Sequence, residues 1–248
     1  MKYLFFIFFL FSHAYGQFNL IDENGLKQGY WVLYFPYSQE DSIVSEEGLF
    51  VDDLEDGLWI KYHQNGQIRE IVNYLDGKLY GLRVLITKQG KLKEQENFIN
   101  GKYDGLQMYF HDNGKPSIKI TYLDGVKHGP LIKYYSNGKK QEKSYYVNDK
   151  KEGVAEWYFD NEQISLQYNY LEGMITDTAY VYYKDGFLKS KYTYFHNEIN
   201  GEKLTYYKSG LIKEQGYFQK GKKDGFWCKY DTVGVEIECV EYQKGIKK

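Results

Sequence analysis

The sequence predicts an all-β chain, an elongated and twisted antiparallel meander of about nine hairpin repeats of 24 residues. Three columns of residues carry that expectation. The first is a glycine recurring at a step of 24 residues, at Gly57, Gly81, Gly105, Gly129, Gly153, Gly201 and Gly225, with Asp177 in the one gap. The second is a mid-repeat glycine at Gly66, Gly90, Gly114, Gly138, Gly186, Gly210 and Gly234, with Glu162 as the exception. Asn or Asp often precedes it, as in Asn65-Gly66, Asn113-Gly114, Asn137-Gly138 and Asp185-Gly186. Asn-Gly between strand-like runs is a strong hairpin signal because both residues tolerate positive φ. The third column is aromatic: Phe50, Tyr74, Phe98, Tyr122, Tyr146, Tyr170, Tyr194, Phe218 and Tyr242. A fixed period of this length marks a stacked array rather than a globule.

Residues 1–16 differ in kind from the rest. A short positive start, Met1-Lys2, precedes an apolar run over residues 3–11, and Ala14 and Gly16 lie at −3 and −1 of a cut before Gln17. This reads as a cleaved secretory signal, since the run is too short to span a bilayer and signal peptidase needs small side chains at those two places. The mature chain is then expected to be secreted, periplasmic or on the cell surface.

Residues 17–28 read as an N-terminal cap strand, and 29–248 as the array, with repeats beginning at 29, 57, 81, 105, 129, 153, 177, 201 and 225. The first repeat has 28 residues, and its four extra residues fall within 35–42, where a hairpin tip belongs. Tips tolerate insertions because few contacts cross them. A further glycine follows the aromatic column at Gly77, Gly101, Gly125, Gly173, Gly221 and Gly245, with Asp149 and Asn197 standing in elsewhere. Each repeat therefore reads as strand, glycine turn, strand and Gly-x-x-x-Gly connection.

Side-chain parity bears on the turn. Leu58, Ile60 and Tyr62 on the first strand and Ile68, Val72 and Tyr74 on the second are apolar and even-numbered. Partners across a hairpin share a face, so an odd loop is expected, most simply three residues ending in a positive-φ glycine with a bulge. The even-numbered positions then form the packed face. Pro116 and Pro130 fall where a ladder donor is needed, which predicts a local irregularity in repeats four and five.

Composition agrees with strands and tight turns: 28 Tyr, 25 Gly and only 3 Pro. The net charge of −2 comes from well-mixed charges, so the basic footprint of a nucleic-acid binder is missing. No polybasic amphipathic stretch suggests a membrane surface, and no second apolar span follows the first.

The tile G-x-W-x-x-Y-x-x-N-G, followed by an aromatic and D-G-K, resembles the MORN-repeat variant of bacterial YwqK-type proteins. Gly57-Leu58-Trp59, Tyr62, Asn65-Gly66, Tyr74 and Asp76-Gly77-Lys78 carry the resemblance, as do Gly225-Phe226-Trp227, Tyr230 and Gly234. It extends over nearly all of the mature chain. The resemblance implies an antiparallel β-hairpin array. It also implies a protein-binding, toxin-neutralising role, since such proteins are commonly labelled antitoxins. The broader MORN class is associated with membrane-lipid and protein scaffolding. An export signal departs from a cytoplasmic antitoxin.

Candidate chemistry is sparse. His63 and His111 share a column two repeats apart, about 19 Å, too far to share a metal. His128 and His196 lie in connections without ligand partners. Glu70, Glu94, Glu142, Glu214 and Glu238 form a column that reads as a solvated ladder. Asp52, Asp53, Glu55 and Asp56 read as a solvated acidic connection. No catalytic residue, cofactor or metal site is expected. Cys228 and Cys239, the only cysteines, pose a conflict. Export favours a disulfide between them. A two-residue turn places them directly opposite each other, whereas the three-residue turn places them on opposite faces.

The most usable hint is aromatic. Tyr135, Tyr145, Trp157, Phe159, Tyr183, Tyr207 and Tyr217 decorate the odd-numbered face of the C-terminal half. Such a stripe marks a candidate binding surface, weighed against ordinary cross-strand pairing within the sheet. The expected function is that of an exported, non-enzymatic repeat protein binding a macromolecule. A protein partner leads, and a cell-envelope structural or glycan-binding module is the alternative.

Overall fold

The computed structural model describes residues 18–36 and 43–248. The secretory segment, its cut before Gln17 and most of the first-repeat insertion lie outside the described residues. Among the described residues there is no helix, and 22 strands form one antiparallel sheet. Apart from two short fragments, strands pair with their neighbours in sequence, as Leu54–Tyr62 pairs with Ile68–Leu75 and that strand with Lys78–Ile86. The expected meander is therefore present. The count exceeds the two strands per repeat because Leu20–Ile21 and Ile246–Lys247 add short terminal pieces. Two first strands are also split, leaving Lys102–Tyr103 and Lys150–Lys151 as fragments.

Two kinds of hairpin alternate along the chain. At the mid-repeat tip, the His63 amide donates to the Gln67 carbonyl (2.8 Å) and the Gly66 amide to the His63 carbonyl (2.9 Å). Gly66 takes φ 80°, so this is the expected three-residue loop ending in a left-handed glycine. The connections between repeats are also hairpins, of two residues with both φ positive, such as Asp76 (49°) and Gly77 (70°). That is the primed turn whose twist matches the flanking strands.

A second device lies beside each tip. Tyr62 is opposite Ile68, but Lys61 is opposite Glu70, so Arg69 is an extra, unpaired residue. The same shift follows every other tip, including Pro116, whose register matches that of its neighbours. Pro130 pairs with Tyr145 in the ordinary ladder. Repeats four and five therefore have no register irregularity of their own.

The bulge corrects the expected assignment of faces. Beyond it, odd residues of the first strand share a face with even residues of the second: Trp59 lies opposite Val72, and Leu58 opposite Asn73. Trp59 is 1% exposed, while Leu58, expected inside, is 54% exposed. One extra residue reverses parity for the whole remainder of a strand, because side chains alternate with period two. We call the packed side the tryptophan face and the open side the leucine face. The same bulge resolves the cysteine conflict. The tip at Asp231 is a three-residue loop, yet Cys228 and Cys239 are direct partners and are joined by a disulfide.

The opening glycine and the aromatic column are cross-strand partners, as in Gly57 with Tyr74 and Gly225 with Tyr242. Asp177 and Glu162, which interrupt the glycine columns, adopt the same left-handed conformation (φ 62° and 71°). On the tryptophan face, Trp31, Phe50, Trp59 and Val72 form one cluster. The Phe50 and Trp59 rings meet edge-to-face at 4.8 Å, and the Trp59 indole donates to the Leu49 carbonyl (3.1 Å). Phe218 and Trp227 repeat this arrangement at 4.9 Å. In both places the indole lies over a glycine; a Cβ on Gly48 or Gly216 would fall 2.3 Å from the ring. In repeats six and seven the sizes invert, with Ala155 opposite Tyr168 and Ala179 opposite Tyr192.

Gly48→Ala is expected to destabilise the fold by about 1–3 kcal/mol, because neither backbone nor indole has room to yield. Glu162→Gly is expected to stabilise it by about 1 kcal/mol by relieving left-handed strain. Urea denaturation of each variant against the parent measures both.

Candidate functional site

The polar residues of the tryptophan face make pairs. Arg83 reaches Glu70 through Nε (2.5 Å) and Glu96 through Nη1 (2.8 Å). Tyr103 and Tyr109 both donate to Glu96, at 2.8 and 3.1 Å. Gln107, fully buried, donates to the Asn97 carbonyl (2.9 Å) and accepts from the Asn97 amide (2.7 Å). Glu142 is clamped by Lys133 and Lys151, each at 2.8 Å. Burial opposes its charge, but the two ammonium groups together outweigh burial and hold its carboxyl below the ordinary 4.5.

The glutamate column is therefore only in part the solvated ladder expected, with Glu238 exposed at one end. Glu70 and Glu142 are buried, and Glu214 and Glu238 face Lys203 (3.2 Å) and Lys229 (2.7 Å). The bulge turns these even positions onto the packed face, where a carboxylate needs a cation. Lysines also cover the aromatic rings. Lys27 lies over Phe50 (4.5 Å), Lys151 over Trp157 (4.6 Å) and Lys223 over Trp227 (4.0 Å). Among the described residues, every buried side-chain nitrogen and oxygen has a partner. This face is chemically closed, and its charges hold the repeats together.

The seven aromatic candidates do not form one stripe. Trp157 belongs to the tryptophan face, edge-to-face with Tyr168 at 5.8 Å. Tyr135, Phe159, Tyr183 and Tyr207 begin the hairpin tips. There the hydroxyls of Tyr135, Tyr183 and Tyr207 donate to the carbonyls of Tyr158 (2.7 Å), Tyr206 (2.9 Å) and Tyr230 (2.8 Å) in the next repeat. His63 and His111 make the same latch through Nε2, to Ile86 and Tyr134, both at 2.9 Å. A carbonyl only accepts, so Nε2 carries the proton. Of the seven, Tyr145 and Tyr217 alone stand exposed on the leucine face. The bulge, absent from a plain alternation, is what separates the set.

The surface that sequence reasoning missed is on the leucine face. Leu58, Leu82, Leu106, Pro130 and Val154 occupy one position in five consecutive repeats, and all are exposed. Beside them, one residue before each connecting turn, Leu75, Ile99, Leu123 and Leu171 are about half exposed. The register places both rows along the same edge of the sheet, because Leu75 lies two residues beyond Asn73, the partner of Leu58. The polar column at Arg69, Lys93, Lys189 and Lys213 was the available signal, since it marks the bulged residue and with it the reversal of faces. Also on this face, Tyr30 and Tyr62 flank Glu47, and burial followed by that carboxylate pushes both phenols up to about 12.

Four stretches, residues 55–76, 103–124, 127–148 and 151–172, match the MORN repeat variant, so the chain carries at least four copies of that repeat. They fall on repeats two, four, five and six of the sheet, ending at or just inside the connecting turn. No curated protein matches the chain. Among solved structures, a crystal structure of an S. aureus TarM mutant in complex with fondaparinux, α-GlcNAc-glycerol and UDP is 12% identical, with a TM-score of 0.22. The match covers 48% of this chain and 19% of that one, a likeness too slight to place the two in one fold. No helix among the described residues is long and apolar enough to cross a membrane.

Tyr183→Phe removes one latch bond and is expected to cost about 1 kcal/mol, measured by chemical denaturation. Glu142 gives a pH test. Its folded-state value is depressed, so its stabilisation is complete above the ordinary 4.5 and is lost as pH falls through the lower folded value. Acid unfolding followed by circular dichroism should show a component below pH 4.5 that Glu142→Gln lacks.

Proposed function

We propose that this chain is an exported, non-enzymatic repeat scaffold that binds a protein partner along the apolar edge of its leucine face. One observation carries the proposal. Leu58, Leu82 and Leu106 are exposed at the same position of consecutive repeats, while the opposite face satisfies its own polar groups. A repeated row of exposed apolar residues marks a place of contact, and alternate strands set its members about 9.6 Å apart, with Asn73 and Asn97 between them. A repeat that packs only against its neighbours presents such a strip as an extended surface. Export rests on residues 1–16. The tile's likeness to YwqK-type proteins supports a neutralising or scaffolding role at the cell envelope.

A second reading, a cell-envelope structural or glycan-binding module, is favoured by Tyr145 and Tyr217, both exposed on the leucine face. The two readings separate in one experiment. Mature protein, residues 17–248, is used to capture material from its own cell envelope, alongside the Leu82→Glu, Leu106→Glu double variant with an unchanged circular dichroism spectrum. Recovery of one stoichiometric protein by the parent and its loss with the double variant supports the protein reading. Retention on isolated polysaccharide, lost on Tyr145→Ala and Tyr217→Ala, supports the other. Equal capture by parent and double variant rules out the leucine edge.

A further inference from the structure

Repeat nine departs from the tile in three places that the fold brings together. The position of Cys228 is held by Ile60, Val84 and Leu204 in other repeats, and that of its partner Cys239 by Ile71, Gln95 and Gln215. The third departure is Glu236, opposite Tyr230. The equivalent partner of the strand-ending aromatic or isoleucine is Val44, Ile68, Leu92, Pro116, Lys140, Ile164, Leu188 or Ile212, and only Glu236 brings a carboxylate there. The bulge at Ile237 is what turns Glu236 onto the leucine face with both cysteines. The ligand atoms of Cys228, Glu236 and Cys239 all lie within 4.8 Å of one another.

We propose that Cys228, Cys239 and Glu236 form a binding site for a thiophilic divalent cation of the zinc class, which the disulfide closes and reduction opens. Two thiolates and one carboxylate suit zinc, which accepts sulfur and oxygen ligands in a tetrahedral shell. Three protein ligands leave the fourth position to water or an incoming group. Opening takes two electrons and two protons from a dithiol reductant, which leaves as its own cyclic disulfide. The Cys228–Cys239 bond breaks, and two thiols form. Cation binding then releases both thiol protons to solvent as the two metal–sulfur bonds form. Disulfide and metal are mutually exclusive states of one pair, and the redox state of the compartment selects between them.

The test uses the mature chain, reduced with a dithiol and freed of it without air, then titrated with cobalt(II) as a spectroscopic stand-in for zinc. The expected result is a thiolate-to-cobalt charge-transfer band that saturates at about one cation per chain and is displaced by zinc. The oxidised protein should give no such band. Glu236→Gln keeps the cysteines and the disulfide, and should weaken cobalt binding by about tenfold or more with an unchanged far-ultraviolet spectrum. No band in the reduced parent, the same band in the oxidised protein, or full affinity in Glu236→Gln would each overturn the proposal. Proton release on zinc addition, followed with a pH indicator, gives a second readout independent of cobalt.

Discussion

One extra residue beside each hairpin tip decides which way the side chains point. Arg69 and its counterparts sit between two stretches of regular ladder and shift the second against the first by one position. Strand side chains alternate with a period of two, so that shift exchanges the two faces of the sheet. Trp59 goes in and Leu58 goes out because of it. The glutamates at 70 and 142 are carried onto the packed side, which is why each has cations against it. Cys228 meets Cys239 for the same reason.

The packed face of a single sheet has no second layer to fill its hollows, so successive repeats must fit one another. Near one end Trp59 closes over Gly48, and near the other Trp227 closes over Gly216. Between them the fit is made by charge at Arg83, Glu70 and Glu96, and by inverted sizes at Ala155 and Tyr168. A large residue, a small one or an ion pair serves equally well, provided its neighbour complements it. Complementarity across neighbours, more than any fixed residue, is what this face conserves along its length.

Much of the fold was legible in the sequence because glycine, asparagine and the aromatic column act locally, and their spacing survives whatever the strands do. The tip length was legible too, from the shared parity of Tyr62 and Ile68, which are partners across the tip. The faces were not. A bulge adds one residue without any breaker residue of its own, and the even-numbered apolar run Leu58, Ile60 and Tyr62 looked like a core stripe. The conflict over the cysteines was the sign of this. Both premises held, and the missing step was one extra residue between tip and pair. The candidate aromatic stripe is divided for the same reason, since Trp157 and Tyr145 have the same parity in the sequence but lie on opposite faces of the sheet.

The latches at the hairpin tips have an evolutionary consequence. Each ring, whether tyrosine or histidine, bonds to a main-chain carbonyl of the following repeat. Every residue supplies such a carbonyl, so the latch does not depend on which tile comes next. A joint of this kind lets whole repeats be duplicated, deleted or exchanged without a matching change in the neighbour. Length can then drift in steps of one tile while the joints stay intact. What limits that freedom lies elsewhere, in the few contacts that do read their neighbour, such as an indole resting on a glycine.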